Sequence, residues 1–246
     1  MENNNSSSSL QSNIEQRIKN NAYPGRGIIQ GKSDMGEWVQ VYWIMGRSNN
    51  SRNRIFSSND GTLQTQAADP SKVEDPSLII YNAMREIDGC FIVTNGSQTD
   101  AIYEGLQQGK SFDESLLPQR HEPDAPNFTP RISGCLHLKE EHPRATLSII
   151  KANPFDVDHS EHHFFHYTVI ADGYGYAVTT YQEDGNPLPS FEGTPFLLPL
   201  HGNAQQIADT FWNALNGANK ISLAVKTIDP LELQSAILIV NKYTSL

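Results

Sequence analysis

The chain has 246 residues, 28 acids against 18 bases, two cysteines and 37% hydrophobic residues, a length sufficient to bury a sizeable core. A net charge of −10 argues against a general nucleic-acid binder, Cys90 and Cys135 cannot build a disulfide framework, and no CxxC pair suggests structural zinc. No apolar run suits a transmembrane helix and the N-terminus lacks the charged-then-apolar order of a signal peptide, so a soluble cytoplasmic protein is expected.

Residues 1–20 read as a disordered Asn- and Ser-rich tail followed by a short helix, and residues 21–246 as one domain. Residues 27–31 and 38–45 are β-branched and aromatic runs around a Gly- and Asp-containing turn, which predicts a hairpin. Residues 76–87 place Leu78, Tyr81, Ala83 and Met84 at near-helical spacing and predict a helix. A strand is expected at 90–94, then a helix at 99–108 between a capping-type Thr99/Asp100 and Gly109. The segment 118–130 is rich in proline. Strands follow at 132–138, 145–151, 164–171 and 174–181, the last two joined at Asp172-Gly173. Residues 203–216 form the clearest helix, with Ile207, Phe211 and Leu215 on one stripe, Asn203 as N-cap and Gly217 as stop. A C-terminal hairpin joins 221–228 to 236–243 around Asp229-Pro230. This order lacks regular βαβ alternation and predicts an α+β fold, with hairpin-built sheets and helices packed outside.

Charge is uneven. Residues 1–54 hold seven bases and four acids, a basic island suited to a compact anion such as one phosphate. Its densest part, residues 42–54, runs from an apolar strand into a loop with Arg47, Arg52, Arg54 and five hydroxyl or amide side chains. If that loop is extended, Arg52 and Arg54 point the same way. Guanidinium forks match a phosphate bidentately, and Arg26 stands at the start of the strand expected to pair nearby. The alternative is an arginine-rich turn making surface salt bridges. A second polar segment, 94–100, lies at a helix start, where free N–H groups bind anions or carbonyls, or merely cap the helix. A third, 122–132, brings Glu122, Asp124, Asn127, Thr129 and Arg131 ahead of a strand. His159, His162, His163 and His166 lack the spacing of a metal motif and merge into an aromatic strand, where His162 and His166 share a face and His163 does not. Cys90 and Cys135 sit in apolar strands and are not expected to act as nucleophiles.

Together the motifs Y-P-G-R-G (23–27), Y-W-I-M-G-R-S-x-x-S-R-N-R (42–54), Y-N-A-M-R (81–85), T-N-G-S-Q-T-D (94–100), T-P-R-I (129–132) and G-N-P-L-P-S-F-E-G (185–193) carry a resemblance. In this order they resemble the IMP cyclohydrolase-like family, related to the archaeal type of IMP cyclohydrolase. The resemblance implies a four-layer αββα sandwich like that of the N-terminal-nucleophile hydrolases, without self-processing, since the chain begins with a polar tail before its first strand. It implies a hydrolase of purine biosynthesis that closes 5-formamidoimidazole-4-carboxamide ribonucleotide to IMP with loss of water, independent of metal and folate. No cofactor or metal is then expected, and the partner is a small purine nucleotide, with neither a nucleic-acid polymer nor a membrane. A homo-oligomer is left open.

The resemblance also nominates residues. Arg26, Arg47, Arg52 and Arg54 are candidates to clamp the 5′-phosphate or polarise the formyl oxygen. Tyr81 and Asn82 are candidates to donate to that oxygen or orient the carboxamide. Asn95, Thr99 and Asp100 are candidates to hold the ribose or base edge. Glu122 or Asp124 is the candidate for proton transfer, with Arg131 beside it, and Tyr23, Ser48, Asn53 and Thr129 complete the substrate-binding set. Two other classes compete with the cyclohydrolase: a paralogue that binds, senses or modifies a different purine nucleotide, and a non-catalytic binding protein that keeps the phosphate site.

Overall fold

The computed structural model describes residues 12–73 and 79–243. Residues 1–11 of the expected disordered tail therefore lie outside the described residues. The short helix after it is present, as a π-helical segment Ile14–Lys19 that buries Ile14 and Ile18 in the main core. It is held there by Asn13, which donates to the Leu197 carbonyl at 2.9 Å, and by Arg17 over the Phe196 ring.

Two antiparallel sheets make up the framework. The first has six strands: β1 (Gly27–Lys32), β2 (Trp38–Met45), β10 (Tyr174–Thr179), β11 (Phe196–Pro199), β12 (Lys220–Ile228) and β13 (Ser235–Asn241), in the order β11-β10-β1-β2-β12-β13. The second has seven consecutive strands: β3 (Ile55–Asn59), β4 (Thr62–Gln66), β5 (Tyr81–Ile87), β6 (Cys90–Thr94), β7 (Arg131–His137), β8 (Arg144–Ala152) and β9 (Ser160–Tyr167). Helix α1 (Asn49–Arg52) is a single turn between β2 and β3; α2 (Gln98–Gln107) and α3 (Phe112–Leu116) follow β6, and α4 (Ala204–Ala214) precedes β12.

Strand alternation assigns the layers. Along β2, Trp43 turns outward and stacks on Phe211 of α4, while Gln40 and Tyr42 turn toward the second sheet. There Gln40 donates to Gln30 and to the Phe91 carbonyl, and Gln30 donates to the Thr146 carbonyl, so two buried amides stitch the sheets with their donors satisfied. On the far side of the second sheet, Ile92, Cys135 and Ile150 pack against Ile102 of α2 and Phe112 and Leu116 of α3. Asn203 caps α4 through a reciprocal pair with Gln206, as its position before the apolar stripe predicts.

Three expectations are corrected. Residues 81–87 form strand β5, not a helix; residues 76–78 of the expected helix lie outside the described residues. Pairing with β4 and β6 on either side overrides the near-helical spacing of Tyr81, Ala83 and Met84. Residues 164–171 and 174–181 do not form a hairpin, because β9 pairs with β8 in one sheet and β10 with β1 in the other. A type I′ hairpin needs positive φ at both central residues. Asp60-Gly61 and Asp88-Gly89 have it and close the β3–β4 and β5–β6 hairpins, whereas at Asp172-Gly173 only Gly173 does. Third, the helix after β6 begins at Gln98, one residue before the expected Thr99/Asp100 start, and Ser97 before it makes no side-chain capping bond.

Gly25 and Gly27 shape the approach to the cleft described next. Gly25 has φ +74°, and a side chain there would run into Thr180 and Tyr181. Gly27 lies opposite Trp43, whose indole occupies the space of a Cβ and donates to the Gly25 carbonyl at 3.0 Å. Gly27→Ala is expected to destabilise the fold by about 1–3 kcal/mol through displacement of Trp43. A urea midpoint unchanged from wild type would contradict this.

Candidate active site

A cleft of about 360 Å³ opens where the loops before β1, after β2, before β7 and after β10 converge. The sequence candidates Tyr23, Arg26, Arg47, Ser48, Arg54, Glu122, Asp124 and Thr129 line it. The volume is within the range of small-molecule sites.

The most buried ion pair of the cleft is Arg26–Glu122. The two residues are 8% and 5% exposed, and Nη1 and Nη2 of Arg26 each reach one carboxylate oxygen at 3.1 Å. Burial by itself would lower the Arg26 pKa; Glu122, helped by Tyr81, Tyr181 and Tyr42, outweighs it and raises it well above the ordinary value. The guanidinium is therefore a permanent donor. It also reaches the Asn95 carbonyl at 3.5 Å.

Arg47 is half-exposed at the rim. It donates to Asp184 at 2.5 Å and to the Gly185 carbonyl at 2.9 Å, and lies over the Tyr23 ring at 4.9 Å. These bonds draw the 185–193 segment to the cleft, where Leu188 lines the wall and its N–H donates to Asn127. Arg54 is 6% exposed; its Nε donates to the Ser51 carbonyl at 2.9 Å, and no other hydrogen bond from its guanidinium is found among the described residues. Its terminal nitrogens are the donors left for a ligand.

Asp124 accepts from the Thr129 N–H at 2.7 Å and from the Thr129 hydroxyl. A hydroxyl has one proton. Since Thr129 gives its own to the carboxylate, Tyr181, hydrogen-bonded to the same oxygen, must be the donor to Thr129. The result is a directed chain from the Tyr181 hydroxyl through Thr129 to Asp124. Burial raises the Tyr181 pKa to about 12 and that of Tyr23 in the same direction, so both phenols keep their protons near neutrality.

Eight other candidates lie elsewhere. Residues 49–52 are helical rather than extended, so Arg52 and Arg54 diverge. Arg52 donates to the Gly46 carbonyl at 3.0 Å and, with Asn53, lines a separate cavity of about 730 Å³. Tyr81 is buried between the sheets, its hydroxyl 2.7 Å from that of Tyr42. Asn82, the next residue of the strand, faces the opposite side and bonds Asp100 and Gln64. Asp100 also accepts from Arg85 at 2.9 Å. Asn95 is fully buried and ties Pro130, Ile132 and Gln98 together, while Thr99 bonds Thr94. Arg131 donates to Gln98 and to the Arg120 carbonyl. Apart from Arg52 and Asn53, these residues form the scaffold behind the cleft.

A family model described as IMP cyclohydrolase-like protein matches residues 23–232, which contain every segment of the cleft. The chain belongs to the IMP cyclohydrolase-like family. It is 28% identical over 192 residues to the IMP cyclohydrolase of Methanopyrus kandleri, covering 69% of this chain and 89% of that relative. With the IMP cyclohydrolase of Methanocaldococcus jannaschii it shares 26% identity over 212 residues, 84% of this chain and 94% of the relative. With that of Methanosphaera stadtmanae it shares 33% over 124 residues, covering 48% of this chain and 60% of the relative. Within this family frame the π-helical segment Ile14–Lys19 and strand β13 lie outside the matched span.

Sequence reasoning missed Tyr181, which sits just past the end of β10, and Ser51, Asn50 and Leu188, all of which line the cleft. No local signal marks Tyr181, since a tyrosine after an apolar strand is ordinary. The histidines remain dispersed: His162 and His166 meet the Gln119 carbonyl and Asp113, and His163 pairs with Glu161. Among the described residues no helix is long and apolar enough to cross a membrane.

Proposed function

We propose that this chain is an IMP cyclohydrolase of purine biosynthesis, acting on 5-formamidoimidazole-4-carboxamide ribonucleotide. The observation that carries the reading is a single cleft, inside the family-matched span, that joins a guanidinium with unused donors to a buried Arg–Glu pair and a hydroxyl chain ending on a carboxylate. In the reaction the carboxamide nitrogen bonds to the formyl carbon and gives up one proton, the formyl oxygen is protonated to a hydroxyl, and that hydroxyl leaves as water as the formamido nitrogen loses its proton and a C=N double bond forms. No electrons are exchanged. The demands are orientation of two groups in one molecule, donors for the developing oxyanion, and a route for protons.

In this reading Arg54 and Arg47 hold the 5′-phosphate, with Ser48 and Tyr23 beside them. Arg26, kept cationic by Glu122, faces the formyl oxygen. The Tyr181–Thr129–Asp124 chain moves the proton. The scaffold would be the four-layer αββα arrangement of the N-terminal-nucleophile hydrolases, used without their self-processing chemistry; two antiparallel sheets with helices on their outer faces are compatible with it.

The test is conversion of the formamido ribonucleotide to IMP by purified protein, followed by ultraviolet absorbance, without added folate or metal. Turnover is expected. Tight IMP binding with no turnover would instead favour a nucleotide-binding paralogue, and turnover that requires added metal or folate would remove that part of the reading.

A further inference from the structure

Away from the cleft, the structure brings together three soft ligands that linear spacing hides. Cys90 and His137 are direct partners in the β6–β7 register, and Cys135, two residues before His137, projects from the same face. The two sulfurs and a ring nitrogen of His137 all lie within 4.8 Å of one another. Cys90 Sγ is 3.5 Å from His137 Nδ1. Zinc–sulfur and zinc–nitrogen bonds of about 2.3 and 2.0 Å imply a tetrahedral N···S edge of about 3.5 Å and an S···S edge of about 3.8 Å. The group therefore needs little movement to close on an ion.

His137 is not an ordinary core histidine held in a network. It is 4% exposed, its Nε2 is buried with no hydrogen-bond partner, and Nδ1 faces sulfur. Beside it, Glu140 Oε1 lies 3.9 Å from Nδ1, close enough to supply a fourth ligand, while its other oxygen pairs with Arg144. Two thiolates, a neutral imidazole and a divalent cation sum to zero charge, which suits a site beside the apolar cluster around Ile92 and Phe112, and the one negative charge that Glu140 would add is offset by its pair with Arg144. Cys90 is half-buried, so an ion has an entry path.

We infer that Cys90, Cys135 and His137 form a binding site for a thiophilic divalent cation of the zinc class, with Glu140 or solvent completing the tetrahedron. Binding releases the two thiol protons to solvent and leaves the sulfurs as thiolate ligands. Cys90 opens β6, whereas Asn95, just past the other end of the strand, meets Arg26 of the cleft, so the ion sits at the opposite end of β6 from the cleft. It clamps β6 to β7 and takes no part in ring closure, so the inference does not depend on the proposed function.

The test uses untagged, reduced, full-length protein with Co(II) and Zn(II) as probes. Co(II) should bind one per chain with an intense sulfur-to-cobalt charge-transfer band, which the exposed histidines of β9 cannot produce, and Zn(II) should displace it. Zn(II) should also slow alkylation of Cys90 in the wild type at least tenfold, a readout that needs no variant. Cys90→Ser, which alters a half-buried position, and His137→Gln should each weaken Co(II) binding tenfold or more. Absence of the charge-transfer band, unprotected Cys90, or unchanged affinity in Cys90→Ser would each overturn the site.

Discussion

Arg54→Ala is expected to lower kcat/KM for ring closure about ten- to a hundredfold, while Arg52→Ala leaves it within about twofold. A hydrogen bond to a charged group contributes about 1.5–3 kcal/mol, which sets the size of the loss for one phosphate contact. The two arginines share one stretch of sequence, and an extended loop would give them the same role. The helical turn Asn49–Arg52 separates them instead. Arg52 turns back to the Gly46 carbonyl and Asn219, whereas Arg54 enters the cleft with its terminal nitrogens free of protein partners among the described residues. Because uniform binding of the phosphate is removed, the change should fall mainly on KM. Steady-state kinetics of the two purified variants decide it. Equal losses in both, or wild-type kinetics in Arg54→Ala, would refute the assignment of the phosphate to Arg54.

The second large effect is on stability. Arg26→Ala leaves Glu122 buried without its cation, and breaking a buried pair in this way costs about 3–5 kcal/mol. For a chain of this size that corresponds to a fall in Tm of roughly 6–20 °C. Replacing both partners with apolar residues of similar volume, as in Arg26→Met combined with Glu122→Met, removes the stranded charge and is expected to recover most of the loss. Turnover should stay absent in the double variant, because the donor to the developing oxyanion is gone. Thermal unfolding and the ring-closure assay on the single and double variants separate the two roles. A double variant as unstable as Arg26→Ala would show that the pair stabilises by packing rather than by charge compensation. A double variant with wild-type turnover would remove Arg26 from the chemistry.

The strands at 27–31, 38–45, 90–94, 132–138 and 145–151 were legible because their apolar and β-branched residues are covered on both faces and run nearly without interruption. Strands β3 and β4 were not, since Ser57, Ser58, Asn59, Gln64 and Gln66 look like a loop; their Asp60-Gly61 turn was the readable sign. Strand β5 defeated the pattern for another reason. Tyr81, Ala83 and Met84 satisfy a helical stripe equally well, and only its neighbours β4 and β6 decide. At the site, eight of the sequence candidates line the cleft, but residues adjacent in one motif part company. Tyr81 and Asn82 are adjacent in one motif and face opposite sides of a strand.

Composition and motif order by themselves determined the α+β class, the family resemblance and the pool of arginines and carboxylates from which a nucleotide site is drawn. Those properties are local or summed, so they survive without coordinates. Only the tertiary structure decided that Arg54 rather than Arg52 enters the cleft, that Tyr181 ends a hydroxyl chain on Asp124, and that Cys90 meets Cys135 and His137. The physical reason is that a side chain's direction follows from its backbone conformation, and its neighbours follow from cross-strand register. Both are set by contacts between residues far apart in the chain.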